Sequence, residues 1–244
     1  MSVSQVRLPE SLRAKDTFGI FEDWVDGYVS GDRWTPLVTD SSSASTLVLA
    51  LATTGPGGVM SITQDATDND EIYFGMTKSI FKIADNKPCY FEARSQYTEG
   101  ATDDNNVIVG WCSTFAANTL IDDGAGPVAS ATMAVIYKVD GGTVWRCRSQ
   151  IGAAVGQTDT VSVNTAGGSA YQTLGIEILP YSSTKAQVIY TIDGAPMRDA
   201  NGLAIVHDLT YTNAVNMSPI FGCKNGSATA EVLLNDYVAA YQTR

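Results

Sequence analysis

The chain has 244 residues, 44% of them hydrophobic, with 22 glycines. A chain of this length buries about 70 to 75% of the surface that its unfolded form exposes, enough for one substantial core. Fifteen basic against 26 acidic residues leave a formal charge of -11, which repels a phosphate backbone and argues against nucleic acid as a partner. No apolar segment reaches signal-peptide or membrane-span length, so the expectation is synthesis in the cytoplasm and no membrane partner.

Residues 1–15 combine Pro9 with Arg7, Glu10, Arg13 and Lys15 and read as an N-terminal arm or a short helix from Glu10 to Lys15, the arm being either a disordered end or a docking element for a neighbouring subunit. Residues 16–244 read as one domain. Trp24, Tyr28 and Trp34 lie in an Asp- and Gly-rich stretch. Aromatic packing at the entrance of the core is the expectation there, ahead of an exposed platform for sugar.

Short alternating strands fill the rest. Thr46 to Leu51 and Gly57 to Gln64 form an expected antiparallel pair around Thr53-Thr54-Gly55-Pro56. Glu71 to Met76 follows with Ile72, Phe74 and Met76 on one face. In Cys89 to Thr98, Cys89, Phe91, Ala93 and Ser95 alternate with Tyr90, Glu92, Arg94 and Gln96, the pattern of a half-buried strand. Val107, Val109 and Trp111 continue it. Ala131 to Val139, Asp140-Gly141-Gly142 and Val144 to Ile151 read as a hairpin, and Thr160 to Asn164 as a shorter strand. A second hairpin joins Tyr171–Leu179 to Ala186–Ile192, and the final strands are Asn216 to Cys223 and Glu231 to Tyr241. Strands at regular spacing without crossover helices predict an all-β, two-sheet antiparallel sandwich.

Reactive chemistry is hard to place on this pattern. Cys89, Cys112, Cys147 and Cys223 form no CxxC pair and read as reduced, with the first three as small buried strand residues. His207, the only histidine, sits beside Asp208 in what reads as a polar connection, with no Gly-x-Ser-x-Gly elbow elsewhere. The acidic stretches Asp65 to Glu71, Thr102 to Asn106 and Asp122-Asp123 lack the spacing of a calcium loop and read as solvated turns. Glycoside cleavage needs two carboxyls presented together, and Glu177 stands alone in Gly175-Ile176-Glu177-Ile178-Leu179. No catalytic, cofactor-binding or metal-binding residue is therefore assigned, no cofactor is expected, and the expectation is a protein that is not an enzyme.

Several strings together resemble the concanavalin A-like jelly-roll proteins of tailed-phage virions: Phe91-Glu92-Ala93-Arg94, Val107-Ile108-Val109-Gly110-Trp111, Ala134-Val135-Ile136-Tyr137, Leu174-Gly175-Ile176-Glu177-Ile178, Tyr190-Thr191-Ile192-Asp193-Gly194 and Leu234-Asn235-Asp236-Tyr237-Val238. The resemblance implies a jelly roll and a structural role in a virion. Its leading form is capsid decoration, or cementing, on the outer capsid surface, with the major capsid protein as partner and a homo-oligomer, a trimer by first expectation. The alternative is a carbohydrate-binding module of a phage tail or head fibre, with glycan as partner. The third reading is a divergent sandwich-fold glycosidase.

Overall fold

The computed structural model describes residues 16–25, 30–39, 58–152, 155–167 and 170–244. The N-terminal arm, Tyr28 and the expected strand Thr46 to Leu51 lie outside the described residues. The first six strands are β1 (Thr17–Glu22), β2 (Trp34–Thr39), β3 (Met60–Thr63), β4 (Glu71–Met76), β5 (Phe81–Ile83) and β6 (Cys89–Thr98). Next come β7 (Asn106–Cys112), β8 (Leu120–Ile121), β9 (Gly126–Pro127), β10 (Met133–Lys138), β11 (Val144–Ile151) and β12 (Val155–Thr165). The last six are β13 (Gln172–Ser182), β14 (Lys185–Ile192), β15 (Ala195–Pro196), β16 (Val206–Thr210), β17 (Val215–Lys224) and β18 (Val232–Thr243). No helix occurs among the described residues.

Two antiparallel sheets face one another. The first runs β1-β18-β6-β13-β14-β15, with β16 also on β14 and β3 also on β18. The second runs β12-β11-β10-β7-β17-β4-β2, with β5 also on β17. Both expected hairpins are present, as the β10/β11 and β13/β14 pairs. Gly141 in the first turn takes a φ of +70°, which a side chain would resist. The described partner of β3 is β18, which places the strand beside the first residues of the last strand, Val232 to Asn235.

The core between the sheets is built by alternation. Phe91, Ala93, Leu174, Ile176 and Ile178 of the first sheet meet Phe74, Val109, Trp111, Ile136 and Phe221 of the second. Phe81 packs edge-on against Trp111 at 4.8 Å between ring centres, and Phe74 stacks on Phe221 at 5.4 Å. Trp24 and Trp34 join this cluster and are buried. They pack the entrance of the sandwich and offer no platform to sugar. All four cysteines are buried and unpaired.

The outer face of the second sheet departs from simple alternation, because β4, β7 and β10 are buried along their whole length. A strap, residues 113–132, explains this. Its Phe115, Leu120 and Val128 pack on Tyr73, Ile108, Met133, Val135 and Ile220, forming a second apolar layer. Gly75 makes the close approach possible, since a Cβ there would sit 2.2 Å from the Phe115 ring. Strands covered on both sides lose the polar half of their pattern.

Candidate functional site

Among the described residues, no such segment covers the outer face of the first sheet. Strand register lines its side chains up in rows. One row is Phe21, Ala239, Glu92, Gly175 and Thr191 on β1, β18, β6, β13 and β14; the next is Gly19, Tyr241, Tyr90, Glu177 and Ile189. A third places Tyr237 beside Arg94 and Thr173. Successive strand residues point to opposite faces, so the residues between these rows fill the core while the rows themselves lie on the outer face.

A β-bulge makes the face possible. In β18 the register shifts between Asn235 and Tyr237, leaving Asp236 as the additional residue. Before it, Leu233 and Asn235 point inward; after it, Val238 and Ala240 do. Without that shift Tyr237 and Tyr241 would face the core, because one extra residue exchanges the two faces of a strand. Asn235 is fixed on the inner side by Trp24 Nε1, which donates to its Oδ1 at 2.9 Å, and its Nδ2 donates to Ser95 Oγ at 2.9 Å.

Tyr90, Glu92, Arg94, Glu177, Tyr237 and Tyr241 are each partly exposed, and Phe21 is 53% exposed. Tyr237 donates its hydroxyl proton to Glu92 Oε1 at 2.5 Å, and its ring lies 5.5 Å from that of Phe21. Tyr241 lies against Gly19, where a Cβ would come within 2.3 Å of its ring. Arg94 pairs with Asp236 and stacks over Tyr171 at 4.3 Å from the ring centre. Burial raises the Glu177 carboxyl above its ordinary range. Burial, then the Glu177 charge, raises Tyr90, and burial with Glu92 raises Tyr241. The face thus combines flat rings with hydrogen-bonding carboxylates.

Glu177 therefore does not stand alone. Glu92 lies opposite Gly175, two residues from Glu177, and such diagonal neighbours on antiparallel strands are about 7 to 8 Å apart. The sequence hides this pair because its members are 85 positions apart and meet only through β6/β13 pairing. Burial and alternation could have flagged each carboxylate singly, but no local spacing flags them together.

The remaining candidates have structural roles. His207 lies within β16, not in a polar connection, and is 3% exposed. Its Nδ1 is 3.0 Å from Ser149 Oγ and 3.3 Å from Tyr190 Oη, and its Nε2 is 2.9 Å from Thr160 Oγ1. These contacts tie the first sheet to β11 and β12 of the second. Ser149 is fully buried, so this serine and histidine have no route to a substrate. Burial holds the imidazole down at about 4, with Asp159 opposing.

The acidic stretches are pinned rather than freely solvated. Asn225 Nδ2 donates to the carbonyls of Asp65 and Thr67 at 2.7 and 2.8 Å. Asp104 accepts from Ser227 and Thr229. Buried Lys224 pairs with Asp122 and, at 3.5 Å, with Glu71, and donates to Asn118 Oδ1 at 2.6 Å, which anchors the strap. Among the described residues no group of three His, Cys, Asp or Glu is arranged to hold a metal ion.

No family model matches the sequence, and no curated protein matches it. Solved structures do match the fold. An endo-1,3-β-glucanase from Streptomyces sioyaensis aligns at 14% identity and a TM-score of 0.58, covering 93% of this chain and 97% of that one. An endo-β-1,4-glucuronan lyase from the fungus Trichoderma reesei aligns at 12% identity and 0.56, covering 91% and 94%. A legume lectin-like domain from Entamoeba histolytica aligns at 7% and 0.53, covering 85% and 89%. The fold is thus the lectin- and glucanase-type jelly roll, as the sequence resemblance implied; none of these three is a virion protein. The expectation that the chain is not an enzyme is overturned. Two of these sandwiches are named for catalysis on glycans, and Glu92 and Glu177, far apart in sequence, lie as diagonal neighbours across β6 and β13.

Proposed function

We propose that the protein is a glycan-binding sandwich that takes its ligand on the outer face of the first sheet. The observation that carries this reading is the assembly of Tyr90, Tyr237 and Tyr241 with Glu92 and Glu177 in adjacent rows of a sheet face that no described segment covers. Aromatic faces take the C–H surface of a sugar ring, and carboxylates accept from its hydroxyls. Glu92, Glu177 and Asp236 outnumber Arg94 here, which favours a neutral glycan over an acidic one. The glycan-acting and lectin-like names of the similar folds support the reading as analogy.

Calorimetric titration with neutral oligosaccharides tests it. Tyr241→Ala and Tyr90→Ala each lower affinity at least tenfold while leaving the unfolding midpoint within a few degrees. Unchanged affinity in both removes this face as the site.

A second reading, glycoside cleavage on the same face, is favoured by the unequal environments of the two glutamates. Desolvated Glu177 holds its proton longer and suits a general acid, and Glu92, bonded by Tyr237, suits the base. Reducing-end release lost in both Glu177→Gln and Glu92→Gln supports it; turnover that survives either change removes the pair.

The virion setting rests on the sequence resemblance alone. A glycan-binding sandwich suits a phage tail or head fibre. Capsid decoration, with the major capsid protein and a homo-oligomer on the outer shell, is the competing form. Binding to expanded capsids without any glycan response would favour decoration.

A further inference from the structure

The outer face of the second sheet holds an unusual positive charge beyond the edge of the strap. On β11, Arg146 lies opposite Tyr137 of β10 and Val161 of β12. The carboxylate next in line is already committed. Asp159 accepts from the Tyr137 hydroxyl at 2.6 and 2.8 Å, from Arg148 Nε at 3.0 Å and from Arg148 Nη2 at 2.5 Å. Arg148 is itself held by the carbonyl of Pro127. Neutralisation is therefore complete between Arg148 and Asp159, and Arg146 is left over.

Arg146 forms no ion pair among the described residues, and its Nε is shut off from solvent with no acceptor. An unpaired, desolvated guanidinium nitrogen is costly, so this side chain is held at a cost in free energy that a counter-charge at its open end would offset. The rest of the side chain is partly exposed. Beside it, Val161 and Val163 of edge strand β12 are 50% and 54% exposed and form an apolar flank. In a chain of net charge -11, an uncompensated cation with an apolar border is a place where an anionic ligand is attracted against the general field.

We infer that Arg146 receives a carboxylate, that of a uronate sugar lying along the Val161–Val163 edge. The fork of a guanidinium matches the two oxygens of a carboxylate, and the partly exposed Arg146 side chain, without an ion pair among the described residues, is open to such a group end-on. The sugar part of this assignment rests on the glycan reading above, but the charge does not, and the site lies on the opposite sheet from the tyrosine face.

The test uses the full chain and measures binding of a glucuronate trisaccharide, a neutral glucose trisaccharide of the same linkage, a non-sugar carboxylate of similar size to glucuronate, and inorganic phosphate. Wild type binds the acidic trisaccharide; Arg146→Gln weakens this at least tenfold, leaves the neutral sugar unaffected and keeps or raises the unfolding midpoint, because among the described residues Arg146 has no ion pair to lose. Arg146→Lys recovers only part of the binding. Equal uptake of the acidic trisaccharide by wild type and Arg146→Gln, or no uptake by wild type, overturns the assignment, as does phosphate binding as tight as the uronate. If the non-sugar carboxylate binds as well as glucuronate and depends equally on Arg146, the carboxylate receptor stands and its sugar part falls. Failure of the tyrosine face is read separately, through Tyr241→Ala and the neutral sugar.

Discussion

Lowering the pH should remove the contribution that a single buried imidazole makes to this fold. His207 is 3% exposed and takes a pKa of about 4 in place of its ordinary 6.5, because burial disfavours the charged ring. The unfolded chain therefore binds this proton first. The contribution of neutral His207 is complete above about pH 6.5 and is lost as pH falls, the loss finishing near pH 4. A displacement of about two and a half units corresponds to about 3 kcal/mol, a large part of the stability of a typical domain. Glu231 works in the opposite direction over nearly the same window. Burial, reinforced by Glu99 and Asp104, raises its carboxyl to about 7, so its contribution is complete below about pH 4.5 and is lost as pH rises to 7. The two slopes offset each other in the wild-type protein, and replacing His207 exposes the other. Urea unfolding of wild type and His207→Gln at pH 7.5, 6 and 4 is the assay. At pH 7.5 the variant is less stable by about 1 to 3 kcal/mol, from the polar partners Ser149, Thr160 and Tyr190 that it leaves poorly satisfied. By pH 4 the gap has shrunk by about 3 kcal/mol and closes or inverts. A difference between the two proteins that stays constant with pH would refute the reasoning.

Glu231→Gln removes the opposing slope, and its thermal midpoint exceeds that of wild type above pH 7, where wild type must hold a buried carboxylate whose Oε2 has no partner. Lys224→Met leaves Glu71 as an uncompensated charge 1% exposed and costs about 3 to 5 kcal/mol; limited proteolysis then cuts first within residues 113–132, since Asn118 and Asp122 lose their anchor. Gly75→Ala drives a methyl group into the Phe115 ring and costs about 1 to 3 kcal/mol by chemical unfolding, whereas Gly75→Ala combined with Phe115→Ala recovers part of that loss.

Local pattern reaches far into this fold. Glu71–Met76, Cys89–Thr98 and Val144–Ile151 are strands with the bounds their alternation predicts, and the Asp140-Gly141-Gly142 turn pairs the strands on either side of it. Periodicity and turn chemistry act over neighbouring residues, so they are written into the chain directly. They give way where the environment of a strand is set from a distance. Arg148 and Gln150 alternate as a solvent face should, yet both are buried, because the strap and β12 cover them. β16 reads as a polar link, but pairing with β14 turns it into a strand that carries His207 inward.

The candidate sites show the same division. Composition and alternation by themselves determined that this chain forms stacked antiparallel sheets and that Tyr90, Glu92 and Arg94 share a polar face. Only tertiary structure decided that Glu177 comes beside them, that a bulge at Asp236 swings Tyr237 and Tyr241 outward, and that Asp159 is spent on Arg148 and leaves Arg146 alone. Side-chain direction along a strand follows from backbone geometry residue by residue, whereas the partner across a sheet depends on which distant strand arrives and in which register, and no local rule of sequence contains that choice.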